Sequence, residues 1–250
     1  METRQHEMKT GLSFYLRRVQ FNPGDTTKNN TPVICFHGSG AGSHYPAWAP
    51  LIEGIPNHTS VLFYERRSLD KQNPTEAVQD LITLLDELRL QPPFILVPHS
   101  YGGTIAREFL QHHPDQVAGM VLVETGQETP TTYNELQYRR QILGEKPLSV
   151  IHANSLHRMP QNSNMDLATK KMQQKFTAED ERLKKAQLRL SSNNRYVRLE
   201  ECGHHVVQQR PDVVLNEIKW VMHNMKTVDG DVQEYKVLLP DLGSREYNPG

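Results

Sequence analysis

The feature that most restricts the fold of this 250-residue chain is an alternation of short, almost wholly apolar runs with longer amphipathic ones. A strand with no polar residue at every second place is buried on both faces, and such strands occur where helices cover both sides of a parallel sheet. Pro32–Phe36, Val61–Tyr64, Phe94–Val97 and Val117–Val123 read this way, with Leu148–Ile151 and Tyr196–Leu199 as weaker members. The predicted fold class is therefore α/β, with a mostly parallel central sheet flanked by helices.

The intervening stretches carry helical spacing. Asn73-Pro74-Thr75-Glu76 is a start signal, an N-cap followed by proline at the first helical position and a glutamate placed to close a capping box. Ala77, Leu81, Leu84, Leu85 and Leu88 then fall on one face. A second helix is expected just after Ser100, burying Ile105, Phe109 and Leu110 and stopping at His113-Pro114. A long charged helix is expected over about 164–190, with Met165, Met172, Phe176 and Leu183 as its inner stripe and a solvated face from Lys170 to Arg189. The last helix starts near Arg210-Pro211 and points Val214, Ile218 and Val221 inward. Residues Asn22 to Thr31 form a polar loop, and Val228 to Gly250 a polar tail with one apolar patch, Val237-Leu238-Leu239.

Composition removes several classes of function. A formal net charge of −1 offers no electrostatic footprint for nucleic acid or for an anionic membrane. No run approaches the roughly 20 apolar residues of a spanning helix. The opening METRQHEMKTG lacks an apolar core segment, so no signal peptide is expected and the cytoplasm is the expected compartment. Cys35 and Cys202 are the two cysteines, too few for a disulfide scaffold. Cys35 reads as a small core residue and Cys202 as a small residue two places before His204. The histidine pairs His112/His113 and His152/His157 have no carboxylate-rich setting, and no metal or organic cofactor is expected.

The residues that carry chemistry are Val97-Pro98-His99-Ser100-Tyr101-Gly102-Gly103, set between an apolar strand and a helix. A serine at such a turn projects its hydroxyl from the carboxyl edge of the sheet, and glycines beyond it let neighbouring backbone pass closely. The helix that follows aims its N-terminal amides at negative charge forming on a reacting oxygen. The plain alternative is a serine that only caps a helix.

This segment resembles the nucleophile elbow G-x-S-x-G of the α/β-hydrolase family, with Pro98 standing where the family has its first glycine. The resemblance spans roughly residues 31 to 222 and implies an acyl-transfer enzyme with Ser100 as nucleophile. His37-Gly38-Ser39-Gly40, after the first strand, is similar to the family's oxyanion loop, which implies that the amides of Ser39 and Tyr101 hold the oxyanion. Glu201-Cys202-Gly203-His204-His205 resembles the late loop that bears the general base, and the match falls on His204, with His205 as the first residue of the following helix. The acid's usual slot after the penultimate strand is empty. The earlier slot holds Glu124 at the end of Val117–Val123, where zearalenone-type lactonases of the family also carry a glutamate; Ser100, Glu124, His204 keeps the family's order. Glu128 and Asp166 stand as fallbacks for the acid.

Tyr64-Glu65-Arg66-Arg67-Ser68-Leu69-Asp70 occupies the place of the family's Y-D-x-x-G-x-G-x-S loop, with glutamate for aspartate and neither glycine. Thr125 to about Lys146, with Tyr133, Leu136, Tyr138, Ile142 and Leu143, is expected to be a small cap roofing a pocket for an apolar substrate. Tyr45 and Trp48 either line that pocket or pack. The resulting expectation is one domain over residues 1–250 that hydrolyses an ester or lactone of a small hydrophobic molecule. Two other readings stay open: a lyase or isomerase using the same Ser–His pair, and a ligand-binding protein on the hydrolase scaffold.

Overall fold

All six apolar runs are strands of one sheet. The structure, a computed structural model, describes residues 4–7, 13–18, 31–40, 44–66, 73–126, 132–154, 156 and 166–225. In chain order these form β1 (Arg4–Glu7), β2 (Ser13–Arg17), β3 (Val33–Phe36), α1 (Tyr45–Gly54), β4 (Val61–Tyr64), α2 (Pro74–Glu87), β5 (Phe94–Pro98) and α3 (Gly102–His112). There follow β6 (Val117–Val123), α4 (Thr132–Arg140), β7 (Leu148–Ala153), α5 (Leu167–Ala186), β8 (Asn194–Leu199), α6 (Val206–Gln209) and α7 (Pro211–Asn224). The expected loop over residues 22–30 and the tail over 228–250 lie outside the described residues.

The strand order is β1-β2-β4-β3-β5-β6-β7-β8. β1 and β2 are antiparallel to their neighbours, and every pairing from β4 to β8 is parallel. Parallel register brings the carboxyl ends of β3, β5, β6 and β7 to one edge, with Phe36 beside Pro98 and Val123 beside Ile151. Successive strand residues face opposite ways. Ile34, Phe36, Leu96 and Leu122 therefore pack under α2 and α3, whereas Val33, Cys35, Val97 and Val123 pack under α1, α6 and α7.

Local signals set the helix starts where expected. Asn73 accepts the Thr75 amide at 3.0 Å with Pro74 just inside α2, and Ala77, Leu81, Leu84 and Leu85 are buried along it. Three elements have no apolar run to betray them. β1 reads RQHE and is an exposed edge. β2 buries only Phe14 and Arg17, and Arg17 donates to the carbonyls of Ile52 (3.0 Å) and Ile55 (2.8 Å) at the end of α1. α1 itself holds Pro46 and Pro50, which mask its pattern, yet it buries Trp48, Leu51 and Ile52.

One expectation is corrected. The inner stripe of α5 is not apolar: Met172 and Phe176 are 71 % and 50 % exposed, whereas Asp180 and Lys184 are buried. No residue from 166 to 179 is buried, so the first half of the helix stands clear of the core whichever way it is turned, and Asp180 and Lys184 are its buried residues where it meets the sheet. Met165 lies outside the described residues. The described part of the segment expected as a cap packs on α3 and the core. Gln137 of α4 is buried against α3, accepting from Arg107 Nε at 2.7 Å and donating to the Arg107 carbonyl at 3.1 Å. Tyr138, Ile142 and Leu143 join the core beneath. The segment flanks the sheet; residues 127–131 and the side chain of Tyr133 are not described. Among the described residues no helix is long and apolar enough to cross a membrane.

Candidate active site

Ser100 follows β5 and precedes α3 with φ +51°, a left-handed conformation that costs a non-glycine residue energy and is held by its surroundings. Its amide donates to the Val123 carbonyl at 3.1 Å, and the His99 amide to Phe36 at 2.9 Å, so both neighbouring strands tie the turn down. Pro98 closes β5 without preventing this turn. Gly102 explains the first glycine of the pair: a Cβ there would sit 2.4 Å from the Phe36 carbonyl oxygen and 2.8 Å from that of His37.

Glu124 ends β6 and has the same unusual backbone, φ +50°. Its amide donates to Ile151, and its Oε1 accepts the Ala153 amide at 2.6 Å. The loop after β8 brings His204 over this edge. His204 Nδ1 lies 3.2 Å from Glu124 Oε2, and Nε2 lies 3.0 Å from Ser100 Oγ. With its proton on Nδ1, a neutral imidazole donates to the carboxylate and accepts from the hydroxyl. Ser100, Glu124 and His204, far apart in the chain, thus form one hydrogen-bonded line. Burial alone would raise the Glu124 carboxyl, but the His204 hydrogen bond, the Lys184 ammonium and the Ala153 amide outweigh it and hold the group below the usual carboxylate value. His205 is exposed, directly before α6. The fallback acid Asp166 caps α5, accepting the Thr169 amide at 2.9 Å; Glu128 is outside the described residues.

His37 and Gly38 run alongside the serine: a Cβ on Gly38 would lie 3.2 Å from that of Ser100. Ser39, exposed, comes next, and Tyr101 begins α3 on the other side of Ser100. The glycine-poor stretch after β4 has a structural use that its sequence did not announce. Arg66 donates to the carbonyls of His37 (2.7 Å) and Gly38, fixing the direction in which that peptide chain turns. Glu65 Oε1 accepts the amides of His44 (2.9 Å) and Tyr45 (3.1 Å) at the start of α1. Residues 67–70 are not described. Tyr45 stacks on Tyr15 with ring centres 3.5 Å apart, and Trp48 packs on Phe63, so both serve the core. Cys35 and Cys202 are buried thiols that are not joined in a disulfide, and Cys202 Sγ lies 3.3 Å from Gln209 Oε1.

His37, His44 and Glu65 each offer a ligand atom within 4.8 Å of the others. Their arrangement suits hydrogen bonding better than a cation. The two imidazoles stack 4.0 Å apart at 19°, which keeps their lone pairs in near-parallel planes, and His37 Nε2 already accepts the Arg66 amide at 3.3 Å.

His99, beside the serine, is buried and its Nε2 donates to the His204 carbonyl at 2.8 Å, anchoring the loop that carries the second imidazole. Burial, with only partial relief from that bond, depresses its pKa from 6.5 to about 4; burial and the nearby Arg66 take His37 to about 2. The sign follows. Between pH 6.5 and 4 the unfolded chain binds protons at these positions and the folded chain does not, so stability is full above 6.5 and falls as the pH drops. The His99 contribution alone is about 3 kcal/mol. Thermal melts at pH 7.5, 5.5 and 4.5 should fall in that order. His99→Gln, which keeps a donor but cannot titrate, should flatten the slope; an equal slope in that variant counts against the assignment.

A model of the α/β-hydrolase fold family matches residues 31–143. The chain is 25 % identical over 299 residues to "Probable transporter efuK" of Hormonema carpetanum, covering 84 % of this chain but 42 % of that protein. Two solved structures share the fold at low identity. A serine hydrolase involved in carbazole degradation, CarC, is 11 % identical with a TM-score of 0.59 (88 % of this chain, 99 % of that one). An enol-lactonase from Burkholderia xenovorans LB400 is 14 % identical with a TM-score of 0.55 (85 % and 97 %). The match covers a little under half of the chain, and the eight-stranded, mostly parallel sheet with helices on both faces is the α/β-hydrolase fold.

Proposed function

We propose that the chain is a serine hydrolase that cleaves a carboxylic ester or lactone through Ser100, His204 and Glu124. The observation that carries this reading is the unbroken line from Ser100 Oγ through His204 to a buried, ionised glutamate. His204 Nε2 takes the hydroxyl proton as Oγ bonds to the substrate carbonyl carbon; Glu124 fixes the imidazole's orientation and offsets its positive charge. The amides of Ser39 and Tyr101 are the proposed donors to the oxyanion, and Arg66 holds the carbonyls of His37 and Gly38 just before Ser39. Collapse of the tetrahedral species breaks the carbonyl–oxygen bond, and His204 returns the proton to the leaving alkoxide. Water, deprotonated by the same imidazole, then frees the acid.

Ester and lactone chemistry is preferred over amide hydrolysis on the prevalence of such enzymes on this fold, since the three side chains alone would serve either. The neighbours named a serine hydrolase and an enol-lactonase, alike in fold alone, agree with it. An apolar roof over the site is not part of this reading, since the described part of residues 132–146 flanks the sheet. The test is mass spectrometry after reaction with a fluorophosphonate. A stoichiometric adduct on Ser100, together with turnover of p-nitrophenyl acetate or a small lactone, is the expected result. No adduct, with a small ligand still raising the melting temperature, would instead mark a binding protein. Turnover by elimination or isomerisation without labelling would mark the lyase or isomerase reading.

A further inference from the structure

Behind the proposed acid lies a cluster of charges for which acyl transfer has no evident use. Lys184 of α5 is 0 % exposed, and its ammonium lies 3.7 Å from Glu124 Oε1 and 3.0 Å from Asp180 Oδ1. Asp180 Oδ2 in turn accepts from His152 Nε2 on β7 at 3.0 Å, and His152 Nδ1 meets the Tyr196 hydroxyl at 2.5 Å, with Arg198 against the same ring. The Ser100–His204–Glu124 line therefore continues through Lys184 and Asp180 to a second buried imidazole.

Burying an ammonium is costly unless charged partners offset it. Consider what each charge does to Glu124. Oε1 is occupied by the Ala153 amide and faces the ammonium, which leaves Oε2 for His204. An ammonium alone would also oppose the positive charge that His204 must acquire. Asp180, on the far side of Lys184, offsets that opposition.

Resting on the reading of Ser100, His204 and Glu124 given above, we propose that Lys184 and Asp180 are positioning residues, a buried counter-charge pair that sets the ionisation of the Glu124–His204 couple. The groups facing this couple are Ser100 and His99 from the elbow, His205 from its own loop, His152 from β7, Tyr196 and Arg198 from β8, and Lys184 and Asp180 from α5. Of these, Lys184 acts on Glu124 more strongly than Asp180 does.

The signs are fixed by charge. Removing a cation makes neighbouring groups hold protons more tightly, and removing an anion does the reverse. The readout is the rate of Ser100 labelling by a fluorophosphonate against pH, which needs no knowledge of the substrate. Asp180→Asn should move the midpoint down and Lys184→Met should move it up, each by about 0.5–1 pH unit. The double variant removes the two opposite charges together, so neither is left without the other, and it covers the case in which a single variant loses its fold. It should still lie above the wild type, because the nearer charge is the ammonium, but by less than Lys184→Met alone. Midpoints within about 0.2 unit of the wild type in the folded variants, the double included, would make the pair purely structural and overturn the proposal, as would shifts of one sign in both singles. Absence of labelling in the wild-type chain would instead take down the serine-hydrolase reading itself.

Discussion

Ser100→Ala should lower turnover of a small activated ester by about 10⁴-fold or more while leaving the fold intact. The hydroxyl is the atom that forms the new bond, and among the described hydrogen bonds it serves only His204. Its loss therefore removes the nucleophile without leaving a buried group unpaired in the core. Members of one chemical line act as a unit, so the double variant Ser100→Ala/His204→Ala should be no slower than either single. A double variant slower by the product of the two effects would mean that the residues act independently. The strained backbone supplies a second reading of the same position. At φ +51° a glycine relieves the clash that any Cβ suffers, so Ser100→Gly should be inactive yet about 1 kcal/mol more stable in urea melts. Stability sacrificed at one turn, in a residue with an otherwise unremarkable environment, is what a turn kept for its chemistry would show. An unchanged rate in Ser100→Ala, with intact folding, would end the proposed mechanism.

How much of this was legible follows from what each element buries. β3 to β7 announce themselves because both faces are covered, so nearly every residue is apolar, whereas β8 (NRYVRL) buries only Leu199 and is the weakest of the runs. β1 and β2 form the antiparallel edge, where half the residues meet water and the alternation is too short to stand out. α1 hides behind Pro46 and Pro50. At the site, Ser100, Glu124 and His204 each stand at a strand end or on the loop after one, and register then brings them to one edge; chain order is enough to nominate them. Lys184 and Asp180 are different. A lysine and an aspartate four residues apart on a charged helix look like a solvated surface pair, and only the tertiary partners Glu124 and His152 reveal them as buried. The exposed Met172 and Phe176 misled for a different reason: spacing gives a helix's candidate inner face but not how much of its length meets the core, and no residue from 166 to 179 is buried. Arg66 belongs with Lys184 and Asp180, since nothing local ties it to the carbonyls of His37 and Gly38, 29 and 28 residues earlier in the chain.

Gly102→Ala should destabilise the protein by about 3 kcal/mol and abolish labelling of Ser100, an effect much larger than one methyl group suggests. The added carbon would need to occupy space 2.4 Å from the Phe36 carbonyl oxygen and 2.8 Å from that of His37, and both contacts are backbone, so no side chain can swing aside. Phe36 is buried in β3, whose ladder to β4 and β5 resists movement. The strain must then fall on the start of α3 and on the turn before it. That turn is tied to β3 through the His99 amide and to β6 through the Ser100 amide, so displacing Gly102 carries Ser100 away from His204 and from the His37-Gly38 segment together. In a chain of this size 3 kcal/mol corresponds to a fall in melting temperature of roughly 6–12 °C. Gly203→Ala is the matched comparison, because a Cβ there meets no atom within 4 Å, and its melting temperature should stay within about 2 °C of the wild type. If Gly102→Ala melts with the wild type and still labels, the close approach of β3 to the start of α3 is not what holds the serine in its left-handed turn. The reason for that conformation would then lie in the two amide bonds of residues 99 and 100 alone.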